Sequence, residues 1–269
     1  ILNKFKSYSI SASPDTDVLY RKIAKFLDIP KEMIYITSGI TEGIRILFET
    51  LTNPGENVIV LHPTYPLYSI YAKMYQIEYR KFGFKEDLSP DWDSLYRSID
   101  DKTTMVMIPN PNLPVECMFS VEEIRCIADK CKEHSAALVI DEAYHYFGAP
   151  TVMKLIDEYD NLVVMRTFSK AFGLAGIRLG FMISTLENIR YLSKTRSLVE
   201  TNTLSAGIAE YMLDHPQYMY DHVQEVKEGG KYLQDEFTKL GLRWFGGNYT
   251  NGILIFLKNE DETGSLIDY

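Results

Sequence analysis

Short apolar runs punctuate the chain, and most do not alternate with polar residues. MIYIT (33–37), NVIVL (57–61), TTMVMIP (103–109), AALVID (136–141), NLVVMRT (161–167) and GFMIS (180–184) are rich in Val, Ile and Met, while EYRKFGF (78–84) is a more polar seventh run. A strand that is apolar at consecutive positions has both faces covered, as parallel strands do inside α/β sheets. Stretches with helical signals separate the runs. Residues 41–51 begin at Thr41 and stop before the turn sequence Asn53-Pro54-Gly55. Residues 120–133 open with Ser-x-x-Glu, the signature of a capping box, and continue amphipathically. Strands alternating with helices predict a doubly wound α/β domain.

After Ser184 the pattern changes. Two long helices are expected over 186–213 and 217–240, followed by Gly-Gly-Asn-Tyr-Thr-Asn-Gly and a strand-like run, ILIFLK (253–258). The expected division is an N-terminal arm (1–14), a large α/β domain (15–215) and the start of a smaller domain (216–269).

Composition narrows the function classes. The net charge is −9 and no run of Lys and Arg marks a nucleic-acid surface, so nucleic acid is not an expected partner. The three cysteines, Cys117, Cys126 and Cys131, are odd in number and form no CxxC pair, which argues against a disulfide framework or zinc site. No metal is expected. No apolar run approaches the roughly 20 residues of a membrane span, and the first residues carry no signal-like apolar stretch. A cytoplasmic protein without membrane partners is the expectation.

Four segments carry candidate chemistry. RTFSKAFGLAGIRLG (166–180) places Lys170 at the exit of a buried strand. An amine there costs free energy to bury when charged, and in its neutral form it is a nucleophile toward a carbonyl. Ser169 and Arg178 flank it and suit a phosphate, the arginine bidentately. In AALVIDEAYHYF, Asp141 ends an apolar strand, where open α/β sheets bind ligands. Its carboxylate can pair with a protonated ring nitrogen, and Tyr144, three residues on, can hydrogen-bond an adjacent ring oxygen. The plainer alternative has Asp141 and Glu142 capping the next element, and Glu142 is assigned that role. TSGITEGI (37–44) runs strand, glycine, helix, and exposes the N–H groups of Gly39, Ile40 and Thr41 to an anion. Such a junction by itself is commonly only a turn. HPTYPLYSIY (62–71) places Tyr65 in a proline-fixed loop, where it can stack on a flat ring. Tyr68 and Tyr71 are assigned to core packing and His62 to a structural role.

The order TSGITEG, PTYPLY, NPNLP, IDEAY, RTFSKAFGLAGIRLG resembles the class I/II, fold type I aminotransferases, and is most similar to their histidinol-phosphate aminotransferase branch. The resemblance covers roughly residues 15 to 258. It implies a mostly parallel seven-stranded sheet sandwiched by helices, a partial small α+β domain, and pyridoxal 5′-phosphate as cofactor. It implies that Lys170 forms the internal aldimine and shuttles a proton, that Asp141 pairs with the pyridinium nitrogen, and that Tyr144 bonds the phenolic oxygen of the ring. Tyr65 stacks on the ring, and Gly39, Ile40, Thr41, Ser169 and Arg178 hold the phosphate. A homodimer is implied, with Tyr8 as the candidate that reaches the phosphate of the neighbouring subunit.

Two departures stand out. The family pattern Asn-Pro-x-Asn-Pro-Thr-Gly reads here Asn110-Pro111-Asn112-Leu113-Pro114-Val115-Glu116. Leu113 cannot donate to the phenolic oxygen, as the family's second asparagine does, so Asn112 or Tyr144 is expected to compensate. The family's carboxylate-binding arginine falls beyond the residues in hand. The leading expectation is a ping-pong transaminase acting on an amino acid or amino-phosphate compound and a 2-oxo acid. The alternative is a decarboxylase of a phosphorylated amino acid on the same fold, and the third is a catalytically silent cofactor-binding domain. A dinucleotide-dependent dehydrogenase is set aside, because no GxGxxG follows a first strand.

Overall fold

The computed structural model describes residues 11–257. Tyr8 lies outside the described residues.

Seven strands form one sheet: β1 (Ile34–Thr37), β2 (Asn57–Leu61), β3 (Glu78–Phe82), β4 (Thr103–Pro109), β5 (Ala137–Asp141), β6 (Leu162–Thr167) and β7 (Gly180–Ile183). Each falls on one of the seven runs expected from the sequence, displaced by a residue or two at the ends. The spatial order is β1-β7-β6-β5-β4-β2-β3. The pairs β2·β3, β2·β4, β4·β5 and β5·β6 are parallel, and β7 runs antiparallel to β1 and β6.

The absence of alternation has its physical cause in two cores. Along one face, Ile36, Ile59, Val106, Ile140 and Val164 pack under α1 (Asp17–Leu27), α4 (Trp92–Ser98), α5 (Val121–Glu133) and α7 (Thr203–Asp214). Along the other, Tyr35, Val60, Met107, Val139 and Met165 pack under α2 (Gly39–Leu51), α3 (Leu67–Met74) and α6 (Leu186–Leu192). Successive residues of the central strands therefore enter opposite cores, and apolar residues follow one another without alternation. The capping box of α5 is formed: Ser120 Oγ accepts from the Glu123 amide, and the Glu123 carboxylate accepts from the Ser120 amide.

The expected single helix over 186–213 is corrected. α6 ends at Leu192 and α7 begins at Thr203. Between them, Arg196 lies over the rings of Tyr20 and Tyr35 and pairs with Glu200, which also accepts from the Tyr20 hydroxyl at 3.0 Å. These contacts draw the segment out of helical geometry, and Asn202 restarts it by accepting from the Ser205 amide.

α8 (Gln217–Lys239) follows, as expected, and leads to a separate two-stranded antiparallel sheet of β8 (Arg243–Gly246) and β9 (Ile253–Phe256). The loop between them, 247–252, returns to the carboxyl edge of the large sheet.

Candidate active site

Because β1, β2, β4, β5 and β6 all point the same way, their carboxyl ends meet at one edge. A cavity of about 550 Å³ opens there. Its lining includes Ile40 and Thr41 after β1, Thr64 and Tyr65 after β2, Pro111 and Leu113 after β4, Asp141 and Tyr144 at the end of β5, and Ser169 and Lys170 after β6. Arg178, which precedes β7, completes it, with Ile253 and Leu254 of β9 on the far side.

Asp141 is buried at the floor. Its Oδ2 accepts from the Tyr68 hydroxyl at 2.6 Å and its Oδ1 from the Ala143 amide at 2.9 Å. Burial pushes the Asp141 carboxyl above its usual range, against the opposing pull of those donors and of the Lys170 charge. Burial, followed by the facing carboxylate, drives the Tyr68 hydroxyl well above its ordinary value. A desolvated carboxylate of this kind is stabilised by a cation brought beside it, and a protonated ring nitrogen is such a cation. Tyr68, assigned to core packing from the sequence, is in the core and also holds Asp141; helical spacing marked its burial but could not mark its partner.

Lys170 Nζ lies 5.1 Å from the centre of the Tyr144 ring. Among the described residues it has no hydrogen-bond or ion-pair partner, so the amine is available to a ligand. Ser169 is oriented by Thr167, whose Oγ1 lies 3.0 Å from the Ser169 hydroxyl and accepts from its amide at 3.1 Å.

The anion cradle rests on glycine. Gly39 adopts φ +70°, and a Cβ there would stand 2.9 Å from Arg178 Nη2. Glycine thus lets the guanidinium lie directly over the start of α2, where unpaired N–H groups and the helix dipole also favour an anion. Arg178 itself takes the left-handed conformation, φ 51°, which non-glycine residues seldom adopt. Gly180 permits the same closeness on the other side: its Cβ would fall 2.9 Å from the Arg166 carbonyl oxygen. Thr64 Oγ1 is buried at the cavity without a partner among the described residues, a polar group left for a ligand. A phosphate-bearing, flat, aldehyde-carrying group with a basic ring nitrogen fits this set: cradle, amine, carboxylate and the half-exposed Tyr65 ring, which meets Tyr68 edge-on at 6.2 Å.

Two expectations are corrected. Asn112 does not face the cavity: its amide donates to the Pro63 and Val115 carbonyls at 3.1 and 2.9 Å, bracing the loop from behind. Leu113 takes the wall position, so Asn112 does not compensate for it. Glu142, expected to cap the next element, sits instead in a buried ion-pair network. It is fully buried, pairs with Arg166 at 2.8 Å, and accepts from Thr151 Oγ1 and the Val152 amide. This network ties the end of β5 to β6, the strands that carry Asp141 and Lys170. Tyr71 packs on Phe48, as core assignment implies.

Comparison with known proteins agrees with this geometry. The model of the class I and II aminotransferases matches residues 2–265. Histidinol-phosphate aminotransferase of Bacillus licheniformis is 31% identical over 91% of this chain and 68% of its own length. That of Thermoanaerobacter sp. is 30% identical over 95% of this chain and 73% of its own, and histidinol-phosphate aminotransferase 1 of Bacillus thuringiensis subsp. konkukian is 32% identical over 78% of this chain but 58% of its own. The chain thus spans between 58% and 73% of the length of these relatives. Among solved structures, histidinol-phosphate aminotransferase of Sinorhizobium meliloti in complex with pyridoxal 5′-phosphate superposes with a TM-score of 0.86 at 21% identity, covering 97% of this chain and 72% of that one. The enzyme of Clostridium acetobutylicum gives 0.85 at 23% identity, covering 97% and 80%. These structures share the fold type I architecture. The chain belongs to the class I and II aminotransferase family, on its histidinol-phosphate aminotransferase-like branch, and its cofactor is pyridoxal 5′-phosphate.

Proposed function

We propose that this chain moves an amino group from an amino acid or amino-phosphate donor to a 2-oxo acid in two half-reactions. The observation that carries the reading is Lys170: an amine with no hydrogen-bond or ion-pair partner among the described residues, lining the same cavity as a buried carboxylate that has no ion pair among them. When bound, pyridoxal 5′-phosphate supplies an electrophilic carbonyl carbon and a protonated ring that withdraws electrons from the substrate's Cα. Asp141 keeps the proton on the ring nitrogen, and Tyr68 and the Ala143 amide hold Asp141 in place. With the cofactor in place, the Lys170 amine would take the proton from the substrate's Cα and hand it on. Tyr144 donates to the ring oxygen, Tyr65 covers the ring, and Gly39, Ile40, Thr41, Ser169 and Arg178 hold the phosphate.

The family match and the relatives' names favour transamination over decarboxylation of a phosphorylated amino acid. The relatives' substrate makes an amino-phosphate donor the first to test. No described helix is long and apolar enough to cross a membrane, and the reading includes a cytoplasmic homodimer in which Tyr8 reaches the neighbouring site. The division into a large domain (15–215) and a smaller one from 216 is supported by the separate β8–β9 sheet. The test is an absorbance titration with pyridoxal 5′-phosphate followed by an amino donor. Conversion to the pyridoxamine form with release of a keto product supports transamination, and CO2 release without keto product would replace it with decarboxylation.

A further inference from the structure

Glu116 stands where the family pattern has glycine, and its carboxylate is buried at the end of the loop that carries Leu113. It accepts from three successive amides of the 247–252 loop: Gly247 at 3.2 Å, Asn248 at 3.0 Å and Tyr249 at 3.0 Å. Thr250 Oγ1 at 2.8 Å and Asn248 Nδ2 at 3.1 Å add two more donors. Convergence of successive N–H groups on one anion needs an unusual backbone, and here Gly246 and Gly247 supply it at φ +88° and +82°. A Cβ on Gly246 would fall 3.0 Å from the Glu116 Cβ, so that glycine also allows the close approach. The same loop ends at Gly252, where a Cβ would lie 3.1 Å from Leu113 Cδ1. Glu116 and Leu113 thus grip opposite ends of one loop.

That loop leads directly into the cavity wall. Pro111, Leu113 and Pro114 from one side and Gly252, Ile253 and Leu254 from the other line the cavity. Neither segment contributes a charged or hydrogen-bonding side chain there; the charged lining groups, Asp141, Lys170 and Arg178, belong to the other segments.

We propose that Glu116 is a positioning residue which fixes the 247–252 loop, and through it Gly252–Leu254, as a preformed apolar wall that receives the uncharged side chain of the amino donor. The inference rests on the amino-transfer reading. Glu116 reaches no reacting atom: it acts by holding the wall. Since a carboxylate accepting several charge-assisted bonds holds its donors firmly, the wall exists before the donor arrives.

The experiment compares wild type, Glu116→Ala and Glu116→Gln in the full chain loaded with pyridoxal 5′-phosphate, using phenylalanine and glutamate as donors and hydrogen exchange across 246–252. Wild type is expected to use phenylalanine at the lower KM. In Glu116→Ala the phenylalanine KM should rise by about tenfold or more, the loss of roughly one to two net hydrogen bonds. The kcat should stay within about threefold, the cofactor band should persist, and the 247–249 amides should lose protection. Glu116→Gln, which keeps one acceptor oxygen, should recover part of both effects. Unchanged KM with lost amide protection would overturn the proposal, leaving Glu116 a structural tie only. Unprotected 247–249 amides in wild type would overturn it at the root, as would a glutamate preference. If Glu116→Ala does not fold, Glu116→Gln and Thr250→Val carry the same two readouts. Absence of amino transfer in wild type with any donor would refute the function reading instead, and exchange protection would still decide whether Glu116 holds the loop.

Discussion

The loop after β6 and the loop after β4 face each other across one cavity, yet they are held by different means. The 167–180 segment is fixed largely from within. Thr167 orients Ser169, the Phe168, Gly173 and Leu174 amides donate to the Leu179, Lys170 and Phe168 carbonyls, and Gly173 takes φ +68°, while Arg178 and Gly180 add contacts to the start of α2. The 110–116 segment is fixed by both near and distant residues. Asn110 braces Phe119, Asn112 braces Pro63 and Val115, and Glu116 holds amides about 130 residues further on. Local constraints of φ and close approach tolerate few residue types, so the lysine loop keeps the family pattern. The 110–116 loop departs from that pattern at Leu113 and Glu116, and each of these lies against a glycine of the remote loop, Gly252 and Gly246.

The largest effects should come from the lysine side. Lys170→Ala removes the group that moves the proton, and amino transfer should fall by at least about 10²–10⁴-fold, together with the lysine-dependent absorbance band. Next in size is the support beneath the lysine loop. Glu142→Ala leaves Arg166 buried without its carboxylate, and should destabilise the chain by roughly 3–5 kcal/mol in denaturant unfolding. A change under 1 kcal/mol would show that the pair does not hold β5 to β6.

Asp141→Asn sharpens the comparison by separating chemistry from stability. Turnover should drop by about 10²–10³-fold, comparable to loss of a preorganised electrostatic contact. Because burial raises the Asp141 carboxyl in the folded chain, its proton is bound more tightly folded than unfolded. That contribution to stability is present below the ordinary carboxylate range and is lost as pH rises through the raised folded value. The cofactor-free wild type should therefore lose more melting temperature over that window than cofactor-free Asp141→Asn. Equal pH profiles would show that the carboxylate is not desolvated.

Smaller effects probe the cradle and the wall. Gly39→Ala must adopt φ +70° beneath the Arg178 guanidinium, and left-handed geometry alone costs a residue with a Cβ about 1–2 kcal/mol. Cofactor affinity, measured by equilibrium titration, should weaken by about tenfold. Leu113→Asn on the opposite wall adds at most one net hydrogen bond, about 0.5–1.5 kcal/mol, and should tighten cofactor binding by about two- to twelvefold. A loss there larger than at Gly39 would reverse the contrast between the loops.

Much of this was legible in the sequence, for identifiable reasons. Strands buried on both faces are continuous apolar runs, so all seven could be placed, even the polar 78–84 run at the sheet edge. Asp141 and Lys170 come at or just after the end of an apolar run, where an ionisable residue is conspicuous, and Arg178 stands just before one. Other features required knowledge of distant partners. The Tyr68 hydroxyl meets Asp141, 73 residues away, and Glu142 meets Arg166, 24 residues away. The break between α6 and α7 arises from Arg196 reaching Tyr20 and Tyr35, which helical periodicity does not register. No helix is assigned from the sequence alone at α1, α3 or α4. The role of Asn112 was misassigned because an amide can face either side of a loop, and sequence does not say which.

The central claim is that Lys170 and Asp141 frame a working amino-transfer site on this chain. The most direct measurement is the absorbance spectrum of the full chain with pyridoxal 5′-phosphate, before and after an amino donor, in wild type and Lys170→Ala. The account predicts a lysine-dependent band in wild type that the donor converts to the pyridoxamine form, and no such band in the variant. A band that persists in Lys170→Ala, or no band in wild type, would contradict it.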